Sequence, residues 1–224
     1  MIFNDRREAG RALAQELRKQ ADLAGALVLA LPRGGLPVAA EVARELQLPL
    51  DIFVVRKLGV PGEEELAMGA VASGGIVFLN SPVIRAFSIS QEVVDAAVAR
   101  ERQEVESREA LYRETLPRAA RLPMEVQDRT VIVVDDGLAT GSTMKAAVLA
   151  LRPVARRIIA AVPVSAAATA ADVSREVDQL ICLHAPARLN AVGECYRNFD
   201  SVTEDEMRAL LAQVFPSGNS PDAA

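Results

Sequence analysis

Val131-Ile132-Val133-Val134-Asp135-Asp136-Gly137-Leu138-Ala139-Thr140-Gly141-Ser142-Thr143-Met144 is the stretch on which the fold turns. Four β-branched apolar residues run into two adjacent acids, a short loop of Gly, Thr and Ser follows, and a helix begins. An all-apolar strand belongs in the buried centre of a parallel sheet, and the C-terminal edge of such a sheet is where ligands bind. The loop brings backbone N–H groups, two glycines and three hydroxyls to a helix N-terminus, which together make an anion site. Two carboxylates beside that cradle would repel the anion, so they must face something else. A sugar diol fits, because ionised carboxylates only accept hydrogen bonds and hydroxyls donate them. The segment is not a P-loop: no Lys follows Gly141 and the glycine spacing is too short.

Leu31-Pro32-Arg33-Gly34-Gly35-Leu36-Pro37-Val38-Ala39 repeats the design of apolar strand, Gly pair and helix start, now with an Arg in the turn. Glycines let backbone N–H groups approach an anion closely, and Arg adds a planar fork for phosphate oxygens. Arg56-Lys57 close a predicted strand over Leu50–Val55, which would aim both cations at the crevice holding Arg33. Gly59 to Glu65 reads as a mobile loop able to cover that crevice. Bland readings stand beside these: a plain strand-to-helix turn for Gly34-Gly35, and a surface basic pair for Arg56-Lys57.

Outward from these segments, strands alternate with helices, which implies a doubly wound parallel sheet. A first helix follows Asp5, capped with Glu8 three residues on. Strands are predicted at Ala26–Leu31, Arg157–Val162 and Gln179–Leu183, with helices over Leu36–Leu46 and Ala166–Val177. Met68–Ala72 and Ile76–Leu79 read as a hairpin across Ser73-Gly74-Gly75. From Ser88, paired with Gln91 as a capping box, one long helix is expected to about Thr115. Its apolar stripe is thin, its Glu104–Arg108 and Glu109–Arg113 pairs lie at helical spacing, and it should project from the core with a solvated face. Thr203 and Glu206 cap a last helix that turns Met207, Leu210, Leu211 and Val214 inward.

The chain has 224 residues, half of them hydrophobic and 25% charged, with a net charge of −5. That balance argues against a dedicated nucleic-acid binder, which needs a basic face to release counterions. No apolar run reaches a membrane span and no secretion signal opens the chain, so a cytoplasmic protein is expected. Cys182, His184 and Cys195 sit at irregular spacing, which matches no standard zinc site, and two cysteines make no disulfide framework.

The Val131–Met144 segment resembles the phosphoribosyl pyrophosphate (PRPP) motif of the type I phosphoribosyltransferases. The resemblance spans nearly the whole chain, from Phe3 to about Leu211, and is nearest to bacterial phosphoribosyltransferase-domain proteins of undefined acceptor. It implies an α/β fold of that kind over residues 1–215, with a helical excursion at about 81–128, a small C-terminal hood at about 185–201 and a disordered tail at 216–224. It implies Asp135 and Asp136 as the catalytic diol-binding acids, and Gly137, Ala139, Thr140, Gly141, Ser142 and Thr143 as the 5-phosphate loop. Arg33, Gly34, Gly35, Arg56 and Lys57 would take pyrophosphate, the family often carrying a strained or cis peptide near this Arg. Mg²⁺ would be held through PRPP and not by direct protein ligands. The acceptor would be a small nitrogenous base beneath the hood, where Tyr196 and Phe199 are two of eight aromatic residues. Family members acting on 6-oxopurines often have an acid where this chain has Ala139, which weakens that acceptor class here. A homodimer is allowed; nucleic-acid and membrane partners are not implied. Two rival readings stay open: a PRPP- or nucleotide-binding regulator without turnover, and an unrelated phosphate-binding hydrolase.

Overall fold

The computed structural model describes residues 2–114, 116 and 121–214. The apolar runs become inner strands. Strands β1 (Leu27–Ala30), β2 (Leu50–Ile52), β6 (Thr130–Val134), β7 (Arg157–Val164) and β8 (Gln179–His184) form a parallel sheet in the order β2-β1-β6-β7-β8. Every residue of β1 and β6 is buried, and the two strands pair from Leu27↔Val131 to Ala30↔Val134. Successive side chains point to opposite faces. Val28, Ala30, Ile132 and Val134 therefore meet helices α1 (Arg6–Gln20), α2 (Gly35–Leu46) and α7 (Glu204–Val214). Leu27, Leu29, Val131 and Val133 meet α5 (Ser142–Leu151) and α6 (Ala167–Ser174) on the other side. The doubly wound expectation holds.

Strand order reverses between β1 and β6. From β1 the chain winds through α2 to β2 on one side; from β6 it winds through α5 to β7 and on to β8 on the other. The crevice outside the C-terminal ends of β1 and β6 is thus the topological switch point, where ligands bind in open α/β sheets.

A second sheet, antiparallel, contains β3 (Val55–Val60), β4 (Glu63–Ala72) and β5 (Ile76–Leu79). It corrects two expectations. The predicted Leu50–Val55 strand is two strands: Phe53 still donates to the carbonyl of Ala30 at 2.9 Å, but Val54 already donates to Ser73 Oγ at 2.8 Å. Arg56-Lys57 therefore start β3 instead of ending a parallel strand. The predicted mobile loop at Gly59–Glu65 is the tip of the β3–β4 hairpin, turning at Pro61-Gly62. The hairpin expected across Ser73–Gly75 is β4–β5, joined there by one 3-10 turn.

The excursion also departs from the reading. It is two helices, α3 (Ser81–Ala86) and α4 (Gln91–Arg113), and Ser90 caps α4 by accepting from Val93 N–H. Ser88 instead sits in the left-handed region at φ 51. Nor does α4 project: Val94, Ala97, Glu101, Val105, Tyr112 and Arg113 are all buried. Arg113 reaches Asp51 at the end of the parallel sheet, Nη2 to Oδ1 2.7 Å, with both residues at most 2% exposed. Asp51 Oδ2 also accepts from Met124 N–H at 2.7 Å. One buried carboxylate thus fastens the C-terminal end of α4 and the segment that leads back to β6. The predicted tail at 216–224 lies outside the described residues. Among the described residues no helix is long and apolar enough to cross a membrane.

Candidate functional site

Two loops meet at the switch point. Leu31 N–H donates to the carbonyl of Val134 at 2.9 Å, which carries the ladder past the end of β1. The Pro32–Arg33 peptide is cis, and Gly34-Gly35 then press against the two acids. A Cβ on Gly34 would lie 2.1 Å from Asp136 Oδ2; one on Gly35 would lie 2.6 Å from Val134 O and 3.0 Å from the Cα of Asp135. Only hydrogen fits at either position. The Arg33 side chain is exposed beside this contact.

The carboxylates are not equivalent. Asp135 Oδ1 accepts from Asp136 N–H at 2.8 Å, and Asp136 Oδ2 accepts from Arg6 Nε at 2.8 Å. Burial, followed by the charge of Asp136, holds the Asp135 carboxyl well above its ordinary range. Burial also raises Asp136, against the hydrogen bond and charge of Arg6. A carboxylate raised in this way holds its proton more tightly in the folded chain than in the unfolded one. Its ionised form therefore costs stability at neutral pH, and the cost disappears as pH falls through the folded value. Asp135→Asn should accordingly raise the stability of the ligand-free protein at pH 7.5, because the amide carries no charge to hold in a buried site. A higher Tm for the variant is the expected sign. The gain should shrink toward pH 5. Thermal unfolding at both pH values checks it, and a lower Tm at pH 7.5 would refute the strained-pair account.

The hydroxyl loop follows directly. Gly141 is the N-cap of α5 at φ 73, a left-handed conformation that favours glycine. Thr140 Oγ1 and Ser142 Oγ are 2.7 Å apart, Thr140 and Thr143 are exposed, and the carbonyl of Ala139 accepts from Thr169 Oγ1 at 2.9 Å. A Cβ on Gly137 would lie 2.4 Å from Val192 of the hood segment. Thr140 and Ser142 line a cavity of about 580 Å³ together with Lys57 and Lys145. Lys57 thus faces the hydroxyl loop, its Nζ 3.3 Å from the carbonyl of Glu65. Arg56 lies apart, its Nε 2.9 Å from Glu101 on α4.

Tyr196 and Phe199 pack within the hood. Their rings stack with centroids 4.9 Å apart, and Tyr196 Oη donates to the main-chain carbonyl of Asp136 at 2.6 Å. Burial pushes the Tyr196 phenol far above its ordinary range, so it stays a donor. The other face of Phe199 carries the Arg6 guanidinium, 3.9 Å from the ring centroid. Arg6 is the site residue that sequence reading missed. Only tertiary pairing brings it here: Phe3 N–H donates to Cys195 O and Arg197 N–H to Phe3 O, both at 2.8 Å.

Residues 61–197 match the family described as "Phosphoribosyl transferase domain". That span contains Asp135–Thr143 and the hood as far as Arg197, but neither Phe199 nor Arg33–Gly35. Two curated Mycobacterium tuberculosis proteins, from strains CDC 1551 / Oshkosh and H37Rv, are each 40% identical over 227 aligned residues; their names assign them provisionally as phosphoribosyl transferases. The alignment covers all of this chain and 50% of each relative, so the chain spans about half their length. The crystal structure of TT1426 from Thermus thermophilus is 36% identical and superposes with a TM-score of 0.85 over 95% of this chain and 99% of that one.

Proposed function

Because the chain belongs to the phosphoribosyl transferase domain family, we propose that it transfers a 5-phosphoribosyl group from PRPP to a small nitrogenous acceptor and releases pyrophosphate. One observation carries the reading. The Gly34-Gly35 turn and the Asp135-Asp136 pair touch at the switch point with no room for a Cβ, so the turn that carries Arg33 and the two acids share one edge.

In this reading the backbone of Gly137, Ala139 and Gly141 and the hydroxyls of Thr140, Ser142 and Thr143 hold the 5-phosphate. Asp135 and Asp136 accept from the 2- and 3-hydroxyls. Arg33, Gly34 and Gly35 take the pyrophosphate, with Lys57 entering from the hairpin; Arg56, engaged by Glu101, supports that strand. Charge-assisted hydrogen bonds contribute about 1.5–3 kcal/mol each. A helix dipole contributes about 0.3–1 kcal/mol, so the directional contacts decide binding. Displacement at C1 builds positive charge on the sugar, and the chain's part is to position the reactants and offset that charge.

Mg²⁺ suits the donor set. Two adjacent acids in contact with the Gly34-Gly35 turn offer hard carboxylate oxygens of the kind Mg²⁺ takes one or two at a time beside substrate phosphates. When bound, the cation would neutralise pyrophosphate oxygens.

The test is pyrophosphate release from PRPP and Mg²⁺ with a panel of purines, pyrimidines and pyridines. Release is expected with at least one acceptor. PRPP binding without release on any acceptor would favour the regulatory reading. In the same preparations Arg33→Ala should weaken PRPP by about tenfold or more, the worth of one charge-assisted hydrogen bond, and leave ribose 5-phosphate nearly unchanged. Equal losses would remove Arg33 from the leaving-group end.

A further inference from the structure

Arg6 joins three separate elements at one atom group. Its Nε donates to Asp136 Oδ2 at 2.8 Å, its Nη1 donates to the carbonyl of Asp200 at 2.8 Å, and its guanidinium covers Phe199. Helix α1, the end of β6 and the hood are thereby tied through a side chain only 11% exposed. An ordinary surface anchor would be satisfied by any carboxylate. This one is half of the acid pair that Gly34 abuts, and the guanidinium takes only one of its oxygens. Among the described residues, no hydrogen bond reaches Asp136 Oδ1, which is left for another donor.

We propose that Arg6 is a positioning residue for the sugar-binding site: it fixes the Asp136 carboxylate through Oδ2 so that Oδ1 is presented, ionised, to a ribose hydroxyl. The proposal rests on the function argued above and adds a residue to it. A planar fork suits the task because Nε and Nη1 engage two acceptors at once while the flat face stacks on an aromatic ring. A lysine ammonium is a point charge and cannot do all three. The charged and titratable groups facing Asp136 are Arg6 from α1, Asp135 beside it and Tyr196 from the hood. Of these only Arg6 is cationic. Removing it leaves Asp136 against Asp135 with only a backbone N–H to offset burial, so the carboxylate should protonate at a higher pH.

The experiment is calorimetric titration of the wild-type chain, Arg6→Ala and Arg6→Lys with PRPP·Mg²⁺ and with ribose 5-phosphate, from pH 6 to 8. Both ligands carry the diol, so Arg6→Ala should weaken both to a similar degree, about tenfold at pH 8 and more at pH 6, as expected when one charge-assisted hydrogen bond is removed. Arg6→Lys should restore the pH dependence and leave binding several-fold weaker than wild type. Thermal unfolding run alongside shows that the variants are folded; should Arg6→Ala be unfolded, Arg6→Lys decides. Wild-type affinity in Arg6→Ala at every pH overturns the proposal. So does a loss that is constant with pH and not repaired by Lys, the signature of a merely structural anchor. A wild-type chain that binds neither ligand overturns the parent function as well, which separates the two failures.

Discussion

Arg113→Met is expected to lower the unfolding free energy by about 3–5 kcal/mol at pH 7.5, a large part of a domain's total stability. The Asp51–Arg113 pair is among the most buried charge pairs in the protein, and removing the cation leaves Asp51 in a dry site. Two backbone donors, Ile52 and Met124, remain on its oxygens but carry no full charge. Burial already raises the Asp51 carboxyl, with Arg113 opposing it. Without Arg113 the proton should bind still more tightly in the folded chain. The deficit should therefore shrink as pH falls toward 5, the direction linkage requires for a raised acid. Urea unfolding at pH 7.5 and 5.5 measures both effects. Asp51→Asn combined with Arg113→Met should recover part of the loss, because Asp51 is then neutral and only Glu109, 3.8 Å from the Arg113 guanidinium, is left without its cation. A single-variant loss under about 1 kcal/mol would mean that water reaches the pair.

Gly34→Ala should spare the fold and disable the site. The backbone of Gly34 is right-handed helical, φ −60 and ψ −32, so alanine meets no backbone penalty there. Its methyl would instead land 2.1 Å from Asp136 Oδ2, the far end of a side chain that can rotate. The carboxylate must swing away, breaking its bond to Arg6 and leaving the sugar-facing position. Without one charge-assisted hydrogen bond, PRPP binds about 10- to 150-fold more weakly. Tm should fall by no more than roughly 2–4 °C, equivalent to about 1 kcal/mol. Calorimetry and thermal unfolding on one preparation test the pairing of outcomes. Intact PRPP affinity would show that Asp136 does not need its present rotamer.

What could be read from the chain was what lies contiguous in it. The Val131–Thr143 segment holds strand, acids and loop within a few turns of backbone, and the Asp5 and Thr203–Glu206 caps are local hydrogen bonds. The departure of the chain from one sheet to the other at Phe53-Val54 was hidden, because the same apolar composition serves both sheets and only the ladder partner changes. Helix α4 does keep a solvated face, but its buried side was hidden because Glu101 and Arg113 count as polar. Their partners Arg56 and Asp51 are 45 and 62 residues away. Ser88, with Gln91 three residues on, satisfies the capping-box pattern, but its backbone is left-handed and Ser90 caps the helix instead. Arg6 meets its carboxylate across 130 residues, and no spacing rule reaches that far.

The short pairing of Phe3 with Cys195 and Arg197 bears on how the protein is handled at the bench. A purification tag fused directly ahead of Phe3 would crowd the segment that leads into Arg6. Trimming by a stray protease before Arg6 would remove Phe3 from its cluster with Cys195 and Tyr196 and loosen the guanidinium from Phe199 and Asp136, while leaving both faces of the parallel sheet covered. Samples with ragged N-termini would then look well folded by circular dichroism yet contain a mixed population of competent and incompetent molecules. Intact-mass measurement should accompany every ligand titration.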